Sequence, residues 1–80
     1  MKREEDALLK QLGEDSRWIR ENIKMLRRRF EGKTFAVQMK KVIASNDSIL
    51  LLLEELEREG VNVEDILIES IPPRDVAFIL

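Results

Sequence analysis

Apolar residues at Leu9, Leu12, Ile19, Ile23, Leu26 and Phe30 recur in steps of three and four, with Ser16 standing where one more is due. That spacing draws a single stripe along a helix and comes close to a heptad seam. Gly13-Glu14-Asp15-Ser16 interrupts the stripe with a helix-ending glycine and then side chains that accept hydrogen bonds from the free amides of a new first turn. Two helices, over roughly 3–12 and 16–30, are expected on that ground. A helix continuing through Gly13 would instead let positions 9–30 zip against a second copy, with Asp15 and Arg20 flanking the seam and able to pair between chains. Gly32, just past Phe30-Glu31, suits the left-handed position that closes the helical region.

The period then changes. Thr34-Phe35-Ala36-Val37-Gln38 alternates, with Phe35 and Val37 on one side, and Lys41-Val42-Ile43-Ala44 is a second β-rich run, so a hairpin is expected around Met39-Lys40. No Asn-Gly or Asp-Gly marks the turn. Ser45-Asn46-Asp47-Ser48 is a cluster of capping residues, and Ile49, Leu52, Leu53 and Leu56 then share one face of a helix that runs to Glu59 and stops at Gly60. Leu50 and Leu51 widen its apolar side beyond one stripe. Residues 66–71 read as a strand ended by Pro72-Pro73, neither of which can donate to a ladder. Val76-Ala77-Phe78-Ile79-Leu80 is apolar throughout, and a final strand or a plug in the core is expected there. The economical reading is one α+β domain over 1–80: an N-terminal helix or helix pair, with 1–13 as a candidate separate helix, then a ββαβ core of hairpin, helix and one or two C-terminal strands.

Composition narrows the chemistry. Eighty residues make a core that is only just sufficient, and the chain has neither cysteine nor histidine to staple it with a disulfide or a zinc site. The same absences remove Ser-His-Asp and Cys-His nucleophiles, HExxH metalloproteases and CxxC redox centres. Tyrosine is absent too, leaving acid/base work to Asp, Glu or Lys. The charged start has no signal-peptide pattern, and five residues, Ile49 to Leu53, form the longest apolar run besides the last five. A cytoplasmic chain with no membrane span is expected. Charged residues at 38% give it a thermophile-like bias.

Charge is distributed unevenly: residues 17–41 carry a net +7 and residues 42–80 a net −7. Folding decides whether these become mutual salt bridges or opposite faces, one of them basic enough for nucleic acid or an acidic partner.

From Asp15 onward, Trp18, Asn22, Leu26, Phe30-x-Gly32-Lys33, Ala36-Val37, Val42-Ile43-Ala44, Gly60 and Ile71-Pro72-Pro73 occur in an order that resembles a small prokaryotic domain family of unknown function. The family pattern is a Trp-bearing helix ending in aromatic-x-Gly-Lys, a short hairpin, a helix closed by Gly and a strand running into Ile-Pro. This chain departs from it at the hairpin turn, where Met39-Lys40 replaces Asp-Gly or Asn-Gly. The resemblance implies a fold and brings no catalytic or binding residue with it.

Two constellations remain as candidate surfaces. Arg20, Lys24, Arg27, Arg28 and Arg29, with Lys40 and Lys41 of the hairpin, could neutralise phosphates along a basic helix spanning residues 17–33, or could simply be its solvated side. Trp18, Leu50, Leu51, Phe78, Ile79 and Leu80 are the expected protein contact. The acidic run Glu54, Glu55, Glu57 and Glu59 spreads around a helix and lacks metal-loop spacing. Gly32-Lys33-Thr34 lacks the first glycine of a phosphate-binding loop, Arg27 standing in its place. The expectation is a non-enzymatic protein-interaction module without cofactor or metal, acting as a homodimer, in its most specific form an antitoxin-like regulator that also holds a protein partner. Nucleic-acid binding through the basic helix is the alternative.

Overall fold

The computed structural model describes residues 2–73, with side chains from residue 6. Helix α1 spans Lys2–Glu21 without interruption, so the stop expected at Gly13 does not occur. A glycine inside a helix costs only about 1 kcal/mol relative to alanine. Asp15 does not cap a helix start: it is helical and fully buried, and its carboxylate is used by the hairpin. It is therefore also unavailable for pairing with a second chain. The actual break comes at Asn22, whose amide reaches the carbonyls of Trp18 and Ile19 at 3.0 and 3.2 Å while its Nδ2 donates to Trp18 O at 2.9 Å. Helix α2, Ile23–Arg29, follows.

Strand β1, Thr34–Gln38, is central, with β2, Lys41–Asn46, and β3, Leu67–Ser70, antiparallel on either side. The hairpin closes at Met39-Lys40 as the sequence suggests, with both residues at positive φ (51° and 61°) and Gln38 paired to Lys41. This is the left-handed two-residue turn that normally selects Asn-Gly, here formed by side chains that resist it. Ala36 pairs with Ala44 and Val37 with Val42, so Ile43 is the extra residue of a β-bulge. On the other edge the ladder continues past Ser70: Gly32 N donates to Ile71 O at 2.8 Å and Ile71 N to Lys33 O at 2.9 Å. The Thr34 and Ser70 hydroxyls meet at 2.8 Å on the same edge.

Helix α3, Ile49–Arg58, starts where expected, with Ser48 Oγ accepting from Leu51 N and Asn46 Oδ1 accepting from Ser48 N. Gly60 (φ 79°) closes it, Val61 N returning to Leu56 O at 2.9 Å. A single turn of 3-10 helix, Val63–Asp65, leads into β3. Of the four positions expected on the apolar face, Leu52 and Leu56 are buried and Leu53 half-buried, but Ile49 is 49% exposed. The first turn starts beyond the edge of the core.

Helices cover both sheet faces, and for that reason Thr34, Phe35, Ala36 and Val37 are all buried rather than alternately so. Phe35 and Val37 meet Ile19, Leu26 and Ile71 under α1 and α2, flanked by Trp18, Ile23 and Phe30. Ala36 meets Leu52, Leu56 and Ile66 under α3. The N-terminal part of α1 stands clear of the sheet, with Leu9 66% exposed, and contributes to a long axis of 45 Å. Residues 76–80, expected as strand or plug, lie outside the described residues.

Candidate interaction surfaces

Ser48 fixes the first turn of α3, and that turn places Ile49, Leu50 and Leu51 at 49, 69 and 52% exposure. Helical spacing sets Leu50 away from the buried Leu52 and Leu56, on the side of α3 turned from the described core. Full burial of each of these side chains would contribute roughly 1.5–3 kcal/mol relative to full exposure. Leu50 and Leu51 are thus exposed as a contact would need, whereas Phe78, Ile79 and Leu80 fall outside the described residues.

Trp18 belongs to a second surface. It is half-buried against the α1–α2 core cluster and, with Met25, Arg29 and Phe30, walls a groove of about 470 Å³ whose other side is residues 41–45 of β2. Phe30 stacks on Phe35 with ring centroids 5.2 Å apart, and the Arg29 guanidinium lies 5.6 Å above the Phe30 ring. The rigid aromatic pair therefore fixes one wall. The opposite wall is a strand edge: among the described residues β2 has β1 on one side only. The sequence marked Trp18 as an anchor but missed the groove, whose walls come from α1, α2 and β2.

The basic residues do not converge. Arg20, Lys24, Arg27 and Arg28 are exposed, and helical spacing turns them away from the Ile19–Leu26 core side, while Arg29 and Lys41 line the groove. Lys40 sits on the turn beside Asp15. Charge is arranged across the sheet: the basic segment supplies the α2 layer, and the acidic segment supplies α3 with Glu54, Glu55 and Glu57.

Asp15 joins the layers. Its Oδ1 accepts from Lys40 N at 2.8 Å and from Gln11 Nε2 at 3.0 Å, and its Oδ2 from Met39 N at 3.3 Å. Both amides of the strained turn are thus satisfied by one carboxylate on α1. Among the described residues no buried side-chain polar atom lacks a partner, no group of three or more acidic side chains is arranged to hold a metal ion, and no helix is long and apolar enough to cross a membrane. Comparisons with protein-family models, curated proteins and solved structures give no match to this chain.

Proposed function

We infer that the protein is a non-enzymatic interaction module that pairs with a second copy of itself through the first turn of α3. The observation that carries this reading is the exposure of Ile49, Leu50 and Leu51 on a turn locked by the Ser48 cap. An isologous contact there sets the same three residues of two copies against each other and closes as a dimer. The acidic side chains further along α3 make the contact tolerant of salt, since screening weakens their mutual repulsion and leaves apolar burial intact. The antitoxin-like form of this role and its protein partner rest on the sequence alone.

Sedimentation equilibrium of the chain and of Leu50→Glu with Leu51→Lys tests the proposal. The unmodified chain should be dimeric at low and high salt, and the double variant monomeric with an unchanged far-ultraviolet spectrum. A monomeric unmodified chain at high concentration removes the proposal. The second reading, nucleic-acid binding, is favoured by the outward set Arg20, Lys24, Arg27 and Arg28. Affinity for single- or double-stranded nucleic acid that falls steeply with salt, and that is lost on Arg27→Glu with Arg28→Glu while the dimer persists, would establish it.

A further inference from the structure

The groove beside Trp18 has a shape and a charge that together specify a ligand. Its volume of about 470 Å³ falls within the usual range of small-molecule sites, and Trp18, Met25, Phe30 and Val42 give it an apolar, largely aromatic lining. Residues 41–45 of β2 set its length at about 13 Å. Its charged lining residues are Arg29 and Lys41, both basic, and among the described residues no acidic side chain lines it. The two cations stand at opposite ends. Phe35 pairs with Ser45 and carries Phe30 stacked on it at 5.2 Å, so the Arg29 guanidinium, 5.6 Å from the Phe30 centroid, lies toward the Ser45 end. Lys41 follows the Met39-Lys40 turn at the other end, near which Trp18 stands about one helical turn beyond the Asp15 that holds that turn.

We propose that this groove binds a small amphipathic anion, an apolar body with one carboxylate, the carboxylate held by Arg29 and the body laid along Val42 toward Trp18. The guanidinium suits the role because its planar fork matches a carboxylate, and its place over the Phe30 ring holds it beside the apolar lining. Lys41 adds a second positive charge to the same groove, so the field within it favours an anion along its whole length. A nucleobase fits the lining less well. It needs an open ring face to stack on, and the Phe30 ring is already engaged by Phe35 and by Arg29. An aliphatic chain needs only apolar surface, which Trp18, Met25 and Val42 supply. The inference is independent of the α3 contact, because α3 packs on the other face of the sheet.

Octanoate and octylammonium share one apolar chain and differ in the sign of the head group, so the pair tests shape and charge separately. Trp18 is the only tryptophan in the chain, and its emission reports on the groove. Octanoate should change that emission saturably and shift the backbone amides of Val42 and Ser45, and octylammonium should bind about tenfold more weakly. Arg29→Gln, a change at an exposed position, should weaken octanoate about tenfold, leave octylammonium unchanged and retain the far-ultraviolet spectrum. Equal affinity for the two amphiphiles, or octanoate affinity unaltered by Arg29→Gln, overturns the assignment of the carboxylate to Arg29. Amide shifts confined to residues 49–51 would put the ligand on the first turn of α3 and overturn the site. Absence of a saturable response up to about 10 mM octanoate, weaker than a ligand of this size should bind a matched site, overturns the proposal as a whole.

Discussion

The two faces of the sheet solve the same burial problem differently. Under α1 and α2 the core contains aromatic rings and a long-range polar latch: Phe35 stacked on Phe30, and Asp15 holding the hairpin turn. Under α3 the core is wholly aliphatic, Ala36, Leu52, Leu56 and Ile66 with Val61 and Ile68 at its margin, and the polar contacts of its helix are local caps. The polar contacts differ in reach: Asp15 meets amides 24 and 25 residues away on the first face, whereas the caps of the second span two and three positions. The excess apolar surface differs accordingly. On the first face it forms a groove, shaped and rigid, and on the second an unshaped turn of three exposed residues.

The largest way to break this contrast is Phe35→Ala, which removes a fully buried ring from the centre of the first face and should cost about 4 kcal/mol, against about 3 kcal/mol for Leu52→Ala on the second. Urea midpoints at constant slope measure both, and a larger loss for Leu52→Ala would reverse the ranking of the two faces. Next in size is Asp15→Ala, expected to cost about 2 kcal/mol because two turn amides lose a carboxylate partner held in the interior. Asp15→Asn should recover little, since an amide group offers only one acceptor oxygen where two are used. The smallest is a gain: Lys40→Gly should stabilise by about 1 kcal/mol, because glycine adopts the left-handed backbone that lysine holds at φ 61° without steric penalty. A Lys40→Gly effect unaffected by Asp15→Ala would mean that the latch and the turn strain are uncoupled.

Much of α3 and of the hairpin was legible in the sequence because their signals are local. Ser48 and Gly60 bound the helix where their types imply, the Met39-Lys40 turn falls between the two β-rich runs, and Phe35 and Val37 share a face. The α1 side was legible only in part. Gly13-Glu14-Asp15-Ser16 has the composition of a helix boundary, but the competing use of Asp15 lies 24 and 25 residues away in the hairpin, and no local rule sees it. Nor does the spacing of apolar residues place β3 beside β1 rather than β2, an arrangement that makes β1 the central strand and, among the described residues, leaves β2 as an edge. Of the candidate surfaces, Leu50 and Leu51 could be recognised as surplus to a single stripe. The groove could not, because its walls come from a helix and a strand whose relative position is a product of the whole fold.

The dependence of the hairpin on Asp15 also orders events in time. A turn built from Asn-Gly closes early and by itself, within microseconds, and can template the strands around it. Met39 and Lys40 have no such preference, so this turn gains its stability only when a carboxylate from α1 arrives, after a loop of some two dozen residues has closed. Helix and hairpin are therefore expected to fold as one cooperative unit, with the hairpin as its late member.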